Sequence, residues 1–448
     1  MAFTTDLPPR VELSNGVAGV ISLFRKASRD PSTAIPVEQL SRPILSGRRI
    51  WRWHSVSGPE EVAHVLSGNA ANYPRSKVIH SVMGQEMRHS LFVAGDATHR
   101  WQRRAILERY SLRKCLSHVP MFRSLIAQET RDLPSGKSLR FNVADIIENV
   151  TLRASLKTVC QSYDPPDLRP LRRALDAFSD GTLRVSRSDV FKLPLILSAR
   201  LKQGEAGWLA ALKRDLSAEI DCRAKPGAAP QDDVLQTLLA ARNPADGQPM
   251  PKRQILSNLM MMIVAGHEPP ASAISWAIYL LATHPHVQKK ARSEAEALRG
   301  QPVKGSLAMM PYLTAVLEET MRLYPVVPIL LRDTLEADKI RGCPVAAGSF
   351  MIVPVYAMHR SPLFWYEPDR FIPERFLQDR APRNAFLPFS TGSRSCIGKT
   401  FAMVEMQIVL AEFLLRFRFS ATPDRVPVPR TVMSLRPKGG VWLDAERL

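Results

Sequence analysis

The sequence predicts a mainly α-helical protein with small β-sheets. Helical patterns dominate residues 141–239, the apolar run Ile255–Thr283 and the amphipathic run Phe401–Phe417. The alternation of apolar and polar residues that is typical of strands is confined to three short stretches, Ile50–Trp53, Gly342–Val355 and Leu435–Val441. In the last stretch, Gly439-Gly440 predicts a hairpin turn between two short strands.

The composition is that of an ordinary globular protein. Of its 448 residues, 45% are hydrophobic and 23% are charged, which is enough apolar material to bury a large core and enclose a cofactor. The net charge is +19, which favours an acidic partner. The basic residues are scattered and form no nucleic-acid-binding motif, so we expect no nucleic acid partner.

Cysteine usage and the first residues indicate where the protein works. The five cysteines are widely spaced and form no Cys-x-x-Cys pair, which suits a reducing compartment. The first ten residues lack the cationic start and apolar centre of a signal peptide. The apolar stretch 16–24 is too short to span a bilayer. We therefore expect a cytoplasmic protein without a membrane span.

Local signals define the first elements. Residues 1–49 read as a lead-in segment, and Gly58-Pro59-Glu60-Glu61 opens a helix with acids in its first turn. A long irregular connection over residues 70–98 follows. Thr98 can then cap a helix that places His99 and Arg103, four residues apart, on one face.

The longest apolar segment, Ile255–Thr283, is long enough to cross a membrane, but its centre argues against that. His267, Glu268 and two prolines lie there, and a charge with helix breakers is costly in lipid. We predict a helix through the centre of the domain. The small pair Ala265-Gly266 would open space for a ligand beside it. A buried carboxylate such as Glu268 is expected to be paired or functional.

Two later segments carry charged residues that could form an ion pair. A helix over Leu313–Leu323 places Glu319 and Arg322 three residues apart, where they can pair. Pairs of this kind are usually surface features of little energetic weight. A second arginine, Arg375, follows in Pro373-Glu374-Arg375-Phe376. The chain leaves the helix at Pro325, and we expect a pocket lining from the apolar residues Val326, Val327, Ile329 and Leu330.

The strongest local signal is Phe389-Ser390-Thr391-Gly392-Ser393-Arg394-Ser395-Cys396-Ile397-Gly398. An amphipathic run follows at once, so Cys396 lies at a helix N-terminus, where free N–H groups and the helix dipole favour a thiolate. Gly392 and Gly398 would permit a tight turn and close approach to a flat ligand. Phe389 would shield the sulfur from water, and Arg394 would reach an anionic edge of the ligand.

This loop resembles the heme-ligand loop of the cytochromes P-450, whose pattern Phe-x-x-Gly-x-Arg-x-Cys-x-Gly is filled at every fixed position. The resemblance covers roughly residues 50–443 and includes four motifs in the family's order. It implies the cytochrome P-450 fold, with heme b buried between the central long helix and the helix after Cys396, the proximal ligand of the iron. Residues 1–448 would be a single heme domain with no fused reductase.

The resemblance also assigns roles to charged residues. The family's propionate contacts correspond to His99, Arg103, Arg332 and Arg394. Its buried triad, which supports the heme loop structurally, corresponds to Glu319, Arg322 and Arg375.

The dioxygen site departs from the family at one position. Ala265, Gly266 and Glu268 match residues that line this site, and Glu268 is the candidate catalytic residue. Pro269 stands where threonine is usual. Proline lacks an N–H and clashes with the carbonyl four residues back, so we expect a kinked or unwound helix. Our hypothesis is that water held by the freed carbonyls and by Glu268 replaces the alcohol; alternatively, the prolines only bend the helix.

The implied reaction is insertion of one oxygen atom from dioxygen into a small apolar molecule. The aliphatic pocket favours a terpenoid or a fatty acid, and electrons would come from an acidic donor such as ferredoxin or flavodoxin with its reductase. We expect a monomer. Two alternatives stay open, a peroxide-driven or rearranging heme-thiolate enzyme and a non-catalytic heme-binding sensor. Three basic residues of the long connection, Arg75, Lys77 and Arg88, could anchor a substrate carboxylate or be solvated.

Overall fold

The computed structural model describes residues 7–15, 30–48, 52–83, 86–133, 139–182, 206–297, 299, 310–378, 382 and 384–448. The apolar stretch 16–24 lies outside these residues. The predicted fold class is confirmed, since helices dominate and the sheets are small. Within the described ranges, no helix has the length and apolar character needed to cross a membrane.

The helices, numbered in chain order, range from one-turn segments to a helix of 32 residues. They are α1 (Pro59–Ala63), α2 (Lys77–Met83), α3 (Asp96–Leu107), α4 (Leu112–Ser117), α5 (Val119–Glu129), α6 (Val143–Val159), α7 (Arg169–Thr182), α8 (Ala206–Arg223), α9 (Val234–Ala240), α10 (Lys252–Thr283), α11 (Pro285–Ala297), α12 (Pro311–Leu323), α13 (Val355–His359) and α14 (Lys399–Arg416).

The strands are short and form four small sheets in the described part of the chain. They are β1 (Ile44–Arg48), β2 (Arg52–Val56), β3 (Leu139–Asn142), β4 (Leu330–Asp333), β5 (Asp338–Ile340), β6 (Cys343–Val345), β7 (Phe350–Val353), β8 (Phe417–Ala421), β9 (Val428–Thr431), β10 (Leu435–Lys438) and β11 (Trp442–Arg447). The sheet orders are β1-β2-β7-β4, β3-β11-β8, β9-β10 and β5-β6.

Helix α10 is the centre of the fold. It packs against α6, α12 and α14, and its second half is almost entirely buried. Trp276 stacks on Tyr324 at 3.8 Å between ring centroids, and its indole N–H donates to the carbonyl of Leu435 at 3.0 Å. Because the neighbouring elements enclose α10 on several sides, the burial of its apolar residues holds it in place.

We expected a kinked or unwound helix at the two prolines, and the unwinding is wrong. Helix α10 continues from Lys252 to Thr283 with both Pro269 and Pro270 inside it. Each proline removes only one backbone donor, and the packed turns on either side hold the helical path.

The predicted hairpin near the C-terminus is also wrong in its pairing. A turn does follow β10, with Gly439 and Gly440 at φ angles of +80° and +82°. However, β10 pairs with β9, whereas β11 pairs with β3 and β8. Two glycines specify a turn, but they do not specify that the chain returns along the same sheet.

The connection over residues 70–98 is more ordered than expected. It contains α2, and it is fastened to β4 by Asp333, whose carboxylate accepts bonds from the Ser76 hydroxyl at 2.8 Å and the Lys77 backbone N–H at 2.9 Å. Arg75 forms an isolated bridge with Arg332 of the same strand. The two arginines are therefore brought side by side.

Candidate functional site around Cys396

The loop before α14 folds back on itself. The backbone N–H of Cys396 donates to the carbonyl of Phe389 at 2.9 Å, which closes the turn. Gly392 has a φ of +73°, and a Cβ there would lie 2.1 Å from the carbonyl oxygen of Leu66, so only glycine fits. At Gly398 the φ is −84° and a Cβ would meet its neighbours at 3.9 Å. The protein alone therefore requires glycine at the first position and tolerates a Cβ at the second.

The thiol of Cys396 lies in a basic environment. Cys396 is exposed, yet the surrounding protein desolvates it enough to raise the pKa of its thiol. A hydrogen bond from the backbone of Gly398 and the charges of Arg103, Arg75 and Lys399 oppose that rise. These groups favour the thiolate, the form that binds metals.

Three arginines, Arg75, Arg332 and Arg394, lie close enough to repel one another. Arg394 is paired with Asp96 at 2.5 Å. Burial is the main cause that lowers the pKa of Arg75 to about 9 and that of Arg332 to about 10, and repulsion by Arg394 adds to both shifts. The Nε atom of Arg75 and one terminal nitrogen of Arg394 are buried and have no hydrogen-bond partner within the protein. Buried, unpaired cationic donors are costly, and an anionic ligand would relieve that cost.

His99 and Arg103 lie on α3 next to this cluster. Burial, followed by repulsion from Arg394, Arg103 and Arg75, lowers the pKa of His99 to about 4, so its imidazole is neutral. Arg103 donates to the carbonyl of Ser395 at 2.8 Å and therefore holds the Cys396 loop directly.

The basic cluster fits a dianionic group such as the two propionates of heme. Arg332, Arg394 and His99 were expected in it from the sequence, whereas Arg75 was not singled out for it. The only sequence signal for Arg75 was its basic character within a long connection. Its position follows from the bridge to Arg332, a pairing between residues 257 apart that no local pattern reveals.

One face of α10 carries Ala265 and Glu268, two of the three residues predicted to line the dioxygen site. Ala265, Glu268, Pro269 and Ser272 follow the spacing i, i+3, i+4 and i+7, so they share a face. Ala265 is exposed although it lies in the middle of a core helix, so α10 borders open space at this residue.

At Gly266, the space that a side chain would occupy is taken by a neighbouring helix. A Cβ at this position would lie 2.7 Å from the hydroxyl oxygen of Ser155 on α6. The missing side chain therefore makes room for a neighbouring helix, which leaves Ala265 as the small residue that borders the open space.

Glu268 is held by hydroxyl groups from two other elements. One carboxylate oxygen accepts from the Ser179 hydroxyl of α7 at 2.6 Å. The other accepts from the Ser434 hydroxyl at 2.7 Å, in the turn between β9 and β10. Glu268 also lines a cleft of about 380 Å³ whose other lining groups include charged side chains of α6, α7 and β10.

The predicted triad residues lie together in the core. Glu319 and Arg322 are fully buried and joined by two bonds of 2.6 and 2.8 Å, and Arg375 donates to Glu319 at 3.1 Å. Arg322 also donates to three backbone carbonyls, including that of His359 at 2.9 Å. The ring of His359 in turn accepts the backbone N–H of Leu387 at 2.8 Å, two residues before Phe389. The triad thus braces the segment that leads into the Cys396 loop.

Comparison with known proteins gives a consistent result. The family model described as Cytochrome P450 matches residues 52–443. A protein described as cytochrome P450 135B1 of Mycobacterium tuberculosis is 31% identical over 82% of this chain and 76% of its own length. The cyclooctat-9-en-7-ol 5-monooxygenase of Streptomyces melanosporofaciens is 30% identical over 76% of this chain and 74% of its own.

A solved structure agrees on the fold. The retinoic-acid-bound cyanobacterial CYP120A1 superposes with a TM-score of 0.80 at 21% identity, covering 99% of this chain and 100% of its own. The family match, the relatives and the fold together show that this chain belongs to the cytochrome P450 family and is a heme b-dependent monooxygenase.

Proposed function

We propose that this enzyme inserts one oxygen atom from dioxygen into a small apolar molecule, with Cys396 as the thiolate ligand of its heme. The observation that carries the proposal is the arrangement of the Cys396 sulfur beside buried, unpaired arginine nitrogens. Arg75, Arg332 and Arg394 would hold the propionates. When bound, the heme iron supplies activation of dioxygen, favoured by electron donation from a thiolate.

The residues of the chain have separate tasks in this proposal. Arg103 orients the loop through Ser395, and the Glu319 triad keeps the loop in place from behind. Phe389 is half-buried against the main core and helps to exclude water from the proximal side. Glu268 is the proposed catalytic residue, which takes protons from the polar cleft that it lines.

The proposed substrate is a terpenoid or a fatty acid. The side chains proposed to line the pocket follow α12 and are all aliphatic: Val326 is buried, Val327 is exposed, and Ile329 and Leu330 are half-buried. A relative of 30% identity is named for its action on cyclooctat-9-en-7-ol, an apolar cyclic alcohol. These observations favour the terpenoid class.

Turnover with isotopic dioxygen tests the proposal. A panel of terpenoids and fatty acids is first screened for a binding-induced change of the heme spin state. Each hit is then incubated with ¹⁸O₂, a ferredoxin and its reductase, and the product is weighed by mass spectrometry. We expect one ¹⁸O atom per product. Product formed only with hydrogen peroxide would support the peroxide-driven alternative, which the proline at position 269 favours.

Electrons are proposed to arrive from an acidic protein that docks near α3, α4 and the start of α14. Five cations on or beside these elements are the candidates: Arg104, Arg109, Arg113, Lys114 and Lys399. Arg109 and Lys114 both pair with Asp232, which reduces their contribution to the positive surface. Arg104, Arg113 and Lys399 are exposed. The proposed docking surface therefore centres on these three residues.

We expect reduction by a ferredoxin to slow steeply as salt rises, because exposed charges are screened beyond about 8–10 Å at moderate ionic strength. Stopped-flow measurement of heme reduction against salt concentration checks this. The double change Arg104→Ala with Lys399→Ala should slow reduction at low salt, whereas Arg425→Ala, between β8 and β9, serves as a control. A reduction rate that does not respond to salt would refute electrostatic docking.

We also propose a cellular compartment and an oligomeric state for the protein. All five cysteines are free, which suits a reducing compartment and supports a cytoplasmic location. The proposed organisation is a single heme domain that works as a monomer with a separate reductase.

A further inference from the structure

Lys399 lies at a position that is unfavourable for a cation. It is the first residue of α14, a helix of 18 residues, and it follows Cys396 by three positions. Because the N-terminal end of a helix carries a partial positive charge, a lysine there is repelled. Lys399 is exposed, and within the described part of the chain it forms no ion pair that would offset this repulsion. A residue that breaks a local rule in this way is a candidate for a functional role.

The side chain of Lys399 lies over the Cys396 loop. Its ammonium nitrogen is 6.0 Å from the centroid of the Phe389 ring, within the range of a cation–π attraction. The carbonyl of the same phenylalanine accepts the backbone N–H of Cys396 at 2.9 Å. The charge of Lys399 is also one of the causes that oppose the rise in the pKa of the Cys396 thiol. Lys399 therefore places a positive charge beside the loop that presents the sulfur.

Lys399 also belongs to the proposed docking surface. The other two cations of that surface, Arg104 and Arg113, lie on α3 and α4. Arg113 faces Glu108 at 3.9 Å, and both side chains are largely exposed. A donor carboxylate that pairs with Lys399 would meet a charge that lies over Phe389 of the Cys396 loop. Docking and the electrostatics of the sulfur thus share one residue.

We propose that Lys399 couples the docking of the electron donor to the oxidation state of the heme, so that the donor binds the oxidised enzyme more tightly than the reduced enzyme. This inference rests on the proposed function, in which an acidic protein supplies the electrons. Each transfer moves one electron and no proton. The donor is oxidised by one unit, and the heme iron is reduced by one unit.

The electrostatics give the sign of this coupling. Reduction adds a negative charge next to the Cys396 thiolate, and a nearby cation stabilises that charge. A donor carboxylate paired with Lys399 weakens the stabilisation, so the heme becomes harder to reduce. Because the coupling of two equilibria is reciprocal, reduction of the heme weakens the binding of the donor. A ferredoxin that has delivered its electron would then leave and free the surface for the next one.

A ferredoxin whose iron is replaced by gallium tests the coupling, because it keeps its acidic surface and cannot exchange electrons. Its Kd is measured for the oxidised enzyme and for the chemically reduced enzyme, and the heme reduction potential is titrated with and without it. Exposed charge pairs are weak, so we expect binding to the oxidised enzyme to be about threefold tighter. For a one-electron couple, this ratio corresponds to a fall of about 28 mV in the potential at saturation.

Three variants assign the coupling to Lys399. Lys399→Met should weaken binding and bring the ratio of the two Kd values close to one, whereas Lys399→Arg should restore the ratio. Arg113→Met removes a cation of the same docking surface from α4. It should weaken binding to both oxidation states equally and keep the ratio at its wild-type value.

The possible failures separate the coupling from the docking itself. Equal Kd values for the two oxidation states of the wild type would overturn the coupling and leave the docking surface standing, as would a wild-type ratio in Lys399→Met. If the gallium ferredoxin did not bind, or if salt did not weaken its binding, the proposed acidic partner would be refuted and the coupling with it.

Discussion

Replacement of Glu319 by alanine is expected to remove on the order of 3–5 kcal/mol from the free energy of unfolding, as is typical when one partner of a buried ion pair is lost. The two arginines that Glu319 neutralises would remain, and Arg322 is itself fully buried. Because Arg322 and Arg375 also hold the carbonyls of residues 359–370, the segment before the Cys396 loop should loosen. Little heme-loaded protein should be recovered.

Chemical denaturation and the ratio of heme to protein measure this effect. The chain offers a matched control in Arg370, which pairs with Glu367 at the same i, i+3 spacing on the surface, with 49% and 33% of the two side chains exposed. Arg370→Ala should cost less than about 1 kcal/mol, as exposed pairs do. If Glu319→Ala were as mild as the control, the triad would not support the loop.

Replacement of Gly392 by alanine is expected to disrupt the Cys396 loop. The backbone at this position is left-handed, which costs a residue with a Cβ roughly 1–2 kcal/mol. In addition, the new methyl group would lie 2.1 Å from the carbonyl of Leu66, a backbone atom that cannot rotate away. We expect a total loss of more than about 2 kcal/mol, since overpacking alone typically costs 1–3 kcal/mol.

Gly398→Ala is the matched control in the same loop. Its φ is negative and a Cβ would meet only ordinary contacts, so the folding stability of the heme-free protein should change by less than about 1 kcal/mol. Thermal unfolding of both heme-free variants distinguishes the two positions. Equal stability of the two variants would show that the loop relaxes around the new methyl group.

The sequence predicted the site best where the functional residues lie close together along the chain. The loop around Cys396 and the i, i+3 pair of Glu319 and Arg322 lie within single elements, and the structure places each set together. The third triad residue, Arg375, is 56 positions from Glu319. It was identified only because the resemblance supplied the long-range pairing.

The residues that the sequence missed depend on contacts between distant segments. Arg75 reaches the basic cluster through a bridge to β4, and Ser434 reaches Glu268 across 166 positions. Neither an isolated arginine in a connection nor a serine in a turn carries a local signal for such a role. Long-range packing decides these positions.

Two wrong predictions share a physical cause. Two prolines favour an unwound helix, and two glycines favour a hairpin, when only the local backbone is considered. In the structure, the core around α10 keeps the helix continuous. Strand β11 pairs with β3 and β8 instead of β10. Tertiary interactions outweigh local preferences in both cases.

The central claim is that Cys396 binds the heme iron as a thiolate, and the reduced carbon monoxide complex tests it most directly. The wild-type protein should show the strongly red-shifted Soret band of thiolate ligation. Cys396→His should lose that band, whereas Cys115→Ser, a buried cysteine of α4, should keep it. A histidine-type spectrum in folded wild-type protein, or an unchanged band in Cys396→His, would contradict the account.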